Sequence, residues 1–383
     1  MKENSRIVGI VTIDDYTNYG NRLQNYAMTK LLEKEKIRVL NGIRVYTKDD
    51  WVSRTRSTHK RCIKRLIPFF IVKNKLYKER IAKNKLIAKR KENFYKFISS
   101  YSTIIDPVIV SNHKKAINTL NKYGIDSFIA GSDQVWNPYY EAKEYEFLTF
   151  APKEKRFSFA ASMGADSIPE NSKWYFKKNL KNMKYISVRE ERAAEIVKEL
   201  TGRTADVTLD PTLLLDKTDW EHAAKKPELY IEDKYICTYF LGEVPEAVKA
   251  FSKEKGLPIY ALNSLDSPEL YTLDPAEFLY MIRNASYVLT DSFHAVAFSI
   301  KFNKEFYVFD RKQDGVSSMF SRIETITKRF GLENRIQNRD RIVEQEPVSN
   351  WNEIEDELVA EKKRSIGKLL KEMGICDGEN RTN

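Results

Sequence analysis

The sequence predicts an α/β protein built as two doubly wound lobes with a cleft between them. Three observations carry that prediction. The chain has 383 residues, and a single core usually stops growing at about 250–300. Its apolar fraction is 42%, which supplies large cores, while 14 glycines and 12 prolines are too few for a many-turned all-β or low-complexity chain. Short β-rich runs alternate with helical patterns through both halves, as in parallel sheets covered by helices.

In order along the chain, Ile7–Ile13 reads as a strand ending in a polar turn, Asp14 to Asn21. Leu23, Tyr26, Ala27, Leu31 and Leu32 then share a helical face, and Ile37–Val45 reads as the next strand. A basic segment follows, helical from about Lys73. Phe128–Ala130, Phe157–Ala161, Tyr185–Val188 and Ala205–Leu209 read as strands, and Trp174–Asn182 and Glu190–Leu200 as helices. Gly202 caps the second helix. The texture changes at Asp210-Pro211-Thr212. We place an N-terminal lobe at 1–210, with a basic insertion at about 54–98. A second lobe covers 211–345, and a helix and tail cover 346–383. The second lobe repeats the alternation: strands at Tyr235–Leu241, Ile259–Leu262, Tyr287–Thr290 and Phe306–Phe309, helices at Ala247–Lys255, Pro275–Asn284, Phe293–Phe302 and Ser318–Phe330. Ile354–Lys371 is the last helix.

Charge and cysteine content narrow the function classes. The chain totals +11, but Arg54–Lys96 alone carries 16 bases against two acids, or +14, so the rest carries −3. A basic face spread over the molecule, as nucleic-acid binding would need, is absent, and no recognised nucleic-acid module accompanies the basic segment. Within that segment Leu66–Val72 is apolar and flanked by bases. That composition suits an anionic membrane surface, and it also suits a solvated helix packing one face on its lobe. Three distant cysteines and four scattered histidines give neither a disulfide framework nor a metal site. The first residues lack a signal-peptide core, and no apolar run is long enough to cross a bilayer, so the expectation is a cytoplasmic protein.

Four turns gather functional groups. Thr17–Arg22, with Asn18, Gly20 and Asn21, joins a strand to a helix start, where free amides attract anions or sugar hydroxyls; an ordinary Asn-capped turn fits the same residues. Ala130–Pro138 brings Ser132, Asp133, Gln134 and Trp136 to a strand end. There Asp133 could act as a base and Trp136 could stack on a sugar, or Trp136 could simply pack beneath an Asx-turn. Arg189 stands where a strand meets a helix and suits a phosphate or carboxylate; an ion pair with Glu190, Glu191 or Asp210 is the plainer reading. Asp291, Ser292 and His294 open another helix, where the amides, the hydroxyl and the imidazole could face one anion, unless His294 is a core residue.

Taken together, these stretches resemble the polysaccharide pyruvyl transferase family over roughly residues 7–310. The resemblance rests on Asn-Tyr-Gly-Asn-Arg-Leu-Gln-Asn-Tyr-Ala (18–27), Gly-Ser-Asp-Gln-Val-Trp-Asn (131–137), Ser-Val-Arg-Glu-Glu-Arg (187–192), Asp-Pro-Thr-Leu-Leu-Leu (210–215) and Thr-Asp-Ser-Phe-His-Ala-Val-Ala-Phe-Ser-Ile (290–300), in that order. It implies two Rossmann-like lobes with a central cleft, as in the GT-B fold. It implies phosphoenolpyruvate as co-substrate, with no other cofactor and no metal. A sugar of a cell-surface polysaccharide or its lipid-linked precursor would be the acceptor, and the product a pyruvyl ketal. Arg189 matches the family's donor-binding Arg, and His294 its helix-start histidine. On this reading His294 and Asp133 are catalytic, and Arg189, Ser292, Asp291 and Arg311 bind the donor. Asn18, Gly20, Asn21, Ser132, Gln134 and Trp136 bind the acceptor. A lipid-linked acceptor would place the enzyme peripherally at the inner membrane face. One departure stands out: members usually carry an Arg two residues before the histidine, where this chain has Ser292. Arg311 or Arg283 could supply that charge. A GT-B glycosyltransferase using a nucleotide sugar is the alternative, followed by a non-catalytic glycan-binding protein.

Overall fold

The computed structural model describes residues 6–47, 75–140, 144–311 and 320–375. In the first lobe β1 (Ile7–Val11) leads to α1 (Tyr19–Lys34), β2 (Arg38–Asn41) and β3 (Val45–Thr47). α2 (Lys75–Tyr101) is the long basic helix. β4 (Thr103–Ile104), β5 (Val108–Val110) and α3 (Ala116–Leu120) precede β6 (Ser127–Ala130) and β7 (Arg156–Ser158). α4 (Glu170–Lys181), β8 (Ser187–Val188), α5 (Glu191–Thr201) and β9 (Asp206–Val207) close the lobe. The main sheet is parallel, in the order β4-β2-β1-β6-β7. Helices cover it, so its central strands are apolar along their whole length; all of Ser-Phe-Ile-Ala in β6 is buried.

The second lobe repeats the plan. α6 (Pro211–Leu214) and α7 (Lys217–Ala223) lead to β10 (Ile236–Tyr239), α8 (Glu246–Lys255), β11 (Ile259–Ala261) and α9 (Pro268–Tyr271). α10 (Pro275–Asn284), β12 (Tyr287–Thr290), α11 (Phe293–Lys301), β13 (Phe306–Phe309), α12 (Ser321–Arg329) and β14 (Ile336–Gln337) follow. The sheet order is β11-β10-β12-β13-β14, again all parallel. Two doubly wound parallel sheets in tandem make the two Rossmann-like lobes of a GT-B-like fold. Local signals set the boundaries. α10 starts at Asp274 with a capping box to Glu277 and Pro275 in its first turn. α5 stops at Gly202, which is left-handed at φ +75°.

One expected strand divides. Residues 37–45 form β2 and β3 rather than one strand, because Gly42 turns the chain at φ +72°. β3 then pairs with β5 in a separate two-stranded sheet.

The lobes share one core. The largest apolar cluster runs from Val8, Ile10 and Leu23 to Phe278, Phe298 and Leu369. Tyr19, at the start of α1, stacks on Phe278 with 4.2 Å between centroids and donates its hydroxyl to the Leu273 carbonyl at 3.0 Å. α13 (Trp351–Glu372) returns to the first lobe: Lys368 pairs with Asp206 at 2.6 Å, and Arg364 donates to the Val207 carbonyl at 2.9 Å.

α2 ties the lobes as well. It buries Arg90, Phe94 and Ile98 at four-residue spacing and exposes Arg80, Lys83, Lys85, Lys89, Lys91 and Lys96. Arg90 donates to the Thr17 carbonyl at 2.9 Å in one lobe and the Tyr271 carbonyl at 2.9 Å in the other. Its guanidinium also lies 4.4 Å from the Tyr19 ring centre and 4.6 Å from that of Tyr271. The apolar stretch Leu66–Val72 lies outside the described residues. Among the described residues no helix is long and apolar enough to cross a membrane.

Candidate active site

In open parallel sheets, ligands bind beyond the carboxyl ends of the strands, where the order of connection reverses. In the first sheet that point falls between β1 and β6, and in the second between β10 and β12. The candidate residues emerge there. Asn18 and Asn21 follow β1, Asp133 and Gln134 follow β6, and Arg189 follows β8. Ser292 and His294 follow β12, and Arg311 follows β13.

Asp133 is held from several sides. Gly131 before it has φ +117°, and a Cβ there would come within 2.3 Å of the Phe159 carbonyl oxygen, so only glycine fits. Asp133 itself is left-handed at φ +66°, a conformation aspartate tolerates better than most residues. Asn21 donates from Nδ2 to its Oδ2 at 3.0 Å, while the Asn18 side chain caps α1 on the Asn21 amide at 3.2 Å. Burial pushes the Asp133 carboxyl up. The charges of Arg189 and of a protonated His294, the Asn21 bond and Arg322 more than offset that, and hold it below the usual carboxylate range.

Arg189 and His294 converge on one carboxylate. Arg189 donates from Nη1 to Asp210 Oδ2 at 2.7 Å and from Nε to Glu190 Oε1 at 3.2 Å. Its Nη2 lies 3.8 Å from Asp133 Oδ1 and has no hydrogen-bond partner among the described residues. Of the three ion pairs weighed for Arg189, those with Glu190 and Asp210 form, but in the interior rather than at the surface. Asp210 is fully buried, accepts the Ser132 hydroxyl at 2.9 Å and caps α6 through the Thr212 amide at 3.0 Å. Burial alone would raise its pKa, but His294, Arg189 and the Thr212 amide bring it well below the carboxylate range. His294 Nε2 stands 3.8 Å from Asp210 Oδ2, too far for a hydrogen bond, and has no hydrogen-bond partner among the described residues. Its other side lies against α1: a Cβ on Gly20 would sit 2.0 Å from His294 Nδ1 and 2.1 Å from its Cγ. Gly20 is thus the contact that lets a turn of the first lobe meet the helix start of the second.

Asp133 and His294 line a cavity of ≈ 240 Å³ between the lobes, bounded also by Asn18, Ser292, Arg311 and Arg322, among others. A larger cavity of ≈ 660 Å³ shares Phe293 and Arg322 with it, is lined by Arg189, and extends towards Lys328 and Glu357. Arg322, from α12, was not among the residues expected from the sequence. It is 8% exposed, its guanidinium lies 5.8 Å from the Phe293 ring centre, and its Nε has no partner among the described residues. The Gln134 amide lies 3.2 Å from both terminal nitrogens of Arg322, which assigns its carbonyl oxygen to that side. Tyr140, 50% exposed, lines the smaller cavity and was also missed. No sequence pattern marks either residue: Arg322 is one base in an amphipathic helix, and Tyr140 follows a proline turn.

Three expected residues take other places. Trp136 does not face the cavity. It is fully buried, stacks on Phe147 at 5.5 Å and donates to the Glu146 carbonyl at 3.1 Å, so the packed alternative holds. Ser132 is buried and spends its hydroxyl on Asp210 and the Ala160 carbonyl. Asp291 turns inward, accepting the Leu241 and Gly242 amides at 2.7 Å each, and so joins the loops after β10 and β12. Arg311 lines the cavity but shares its charge with Asp291 at 3.3 Å. Arg283, the other base considered for the missing charge, sits elsewhere, 3.6 Å from Glu221. Among the described residues no cluster of three His, Cys, Asp or Glu side chains is placed to hold a metal ion.

A cleft between two doubly wound lobes, with a carboxylate, an arginine and a histidine gathered at the strand ends, defines an enzyme of the two-lobed transferase class. The model of the family described as polysaccharide pyruvyl transferase matches residues 18–313, and the chain belongs to that family. No curated protein matches the chain. Solved structures similar to it include a putative UDP-N-acetylglucosamine 2-epimerase from Listeria monocytogenes, at 12% identity and TM-score 0.45 over 96% of this chain and 90% of that one. The S. aureus MnaA–UDP structure gives 11% identity and TM-score 0.45 over 97% and 91%. The UDP-GlcNAc 2-epimerase from Neisseria meningitidis bound to UDP-GlcNAc gives 10% identity and TM-score 0.42 over 96% and 100%.

Proposed function

We propose that the protein transfers the pyruvyl group of phosphoenolpyruvate to two hydroxyls of a glycan sugar, closing a pyruvyl ketal. The observation that carries this reading is the convergence of Arg189 and His294 at the start of α11, where Arg189 lines the larger cavity and His294 the smaller, with Arg189 Nη2 and His294 Nε2 both without a hydrogen-bond partner among the described residues. Arg189 and the α11 amides would hold the donor's anionic groups. His294 would deliver a proton to the methylene carbon, leaving a cationic centre at the ester carbon. A sugar hydroxyl attacks that centre and gives its proton to Asp133. The second hydroxyl then displaces phosphate. The methyl group keeps the proton from His294; the proton on Asp133 passes to the departing phosphate and the second hydroxyl's proton restores His294, so the step balances. Asp133 is held as a carboxylate and is a weak base. It suffices because the cationic centre makes the attacking hydroxyl acidic. The scheme draws on protein groups alone.

The acceptor on this reading is a cell-surface glycan or its lipid-linked precursor. The base-flanked apolar stretch at 66–72 and the exposed bases of α2 support a position at the inner membrane face.

The test is incubation with phosphoenolpyruvate and glycan acceptors, following phosphate release and the acceptor's mass. Phosphate release coupled to pyruvyl addition is expected. The His294→Ala variant should lower kcat at least about a hundredfold with the fold retained. Turnover unchanged in that variant, or transfer from a nucleotide sugar instead, would overturn the reading.

A further inference from the structure

We propose that Arg322 is the second cation of the donor subsite, replacing from a distant helix the charge that Ser292 does not provide. The inference rests on the function proposed above. Phosphoenolpyruvate carries two anionic groups, a phosphate and a carboxylate, so one buried arginine leaves one of them without a fixed counter-charge. Charge buried without a partner is disfavoured, so a site for such a donor needs a second cation.

Three bases other than Arg189 could fill the role. Arg283 is outside the site, bound towards Glu221. Arg311 is tied through Nε to Asp291 and through Nη2 to the Asp291 carbonyl. Arg322 faces the same Phe293 ring as Arg189, at 5.8 Å against 4.7 Å, and lines both cavities. It is more than nine-tenths buried, and no carboxylate is bonded to it among the described residues. Its planar fork is steadied by the Gln134 carbonyl oxygen, and its Nε remains free. Two guanidinium groups are thus packed around one ring beside the larger cavity, each with an N–H that has no partner among the described residues. Burial and the nearby Arg189 push Arg322 down to about 10. A bound dianion would relieve that repulsion.

The test measures phosphoenolpyruvate binding by calorimetry and its KM in the transfer assay. Arg322→Gln is expected to weaken phosphoenolpyruvate about a hundredfold while the acceptor KM stays near the wild-type value, as for loss of one partner in a buried charged contact. Arg322→Lys keeps the charge but loses the fork, and is expected to weaken the donor about tenfold; it also stands in if the glutamine variant does not fold. Donor affinity equal to wild type in either folded variant overturns the role of Arg322 alone. A wild-type protein that binds no phosphoenolpyruvate overturns the proposed function and this inference together.

Discussion

At the scale of single residues, the site depends on one absent side chain. Gly20 has no Cβ, and His294 occupies the space a Cβ would need. The clash in Gly20→Ala would fall on His294 Cβ and Cγ as well as Nδ1, so the ring cannot simply swing its far end away. Gly20→Ala is expected to lower kcat about a hundredfold with little change in overall stability, because a shift of about 1 Å in a positioned group has that cost. Steady-state kinetics beside a denaturation curve would check it. The half-exposed Tyr140 stands at the cavity mouth, the place given from sequence to Trp136. If its ring is a sugar platform, Tyr140→Ala should raise the acceptor KM severalfold, Tyr140→Phe should not, and the donor KM should hold in both.

At the scale of elements, Asp210 does two jobs. It starts α6 through the Thr212 amide and neutralises Arg189 in the interior. Asp210→Asn can still cap the helix but leaves a buried guanidinium short of charge, and should cost about 3–5 kcal/mol of stability. The pH dependence follows from the lowered pKa values of Asp210 and Asp133. A carboxyl whose pKa falls on folding stabilises the native state above its unfolded pKa, about 3.9, and loses that contribution as pH falls towards the folded value. Denaturant midpoints measured downwards from neutral pH should therefore drop below about pH 4, and drop less in Asp210→Asn.

Elements were legible in the sequence where apolar runs were sharply bounded. Pro275–Asn284 and Tyr287–Thr290 stand in the structure where the pattern put them. β4 and β14, two residues each, are too short to show a period, and residues 37–45 read as one strand because a left-handed glycine is invisible to hydropathy. The site was legible as clusters at strand ends. Beyond the Arg189–Asp210 pair it was not legible as contacts: Asn21 meets Asp133 across 112 residues of sequence. Which aromatic of Trp136–Tyr140 faces solvent depends on Phe147, which no local pattern connects to them.

At the scale of the whole molecule, the lobes are joined by side chains as well as by the chain. Arg90 carries most of one such joint, bonding carbonyls on both sides of the cleft and stacking on Tyr19 and Tyr271. Arg90→Ala would strand those carbonyls and open a void, and is expected to cost about 3 kcal/mol. Because Thr17 neighbours Asn18, which the proposed site gives to the acceptor, the acceptor KM should rise as well. Denaturant titration and kinetics on the same preparation would show whether both effects appear together.

That joint has a further meaning for how substrates are received. A cleft that must swing shut charges every binding event for the motion, since only the closed fraction of molecules can bind. Here α2, α13 and the Gly20–His294 contact already hold both walls together. The site is preorganised, with its ordering entropy spent during folding rather than at each turnover.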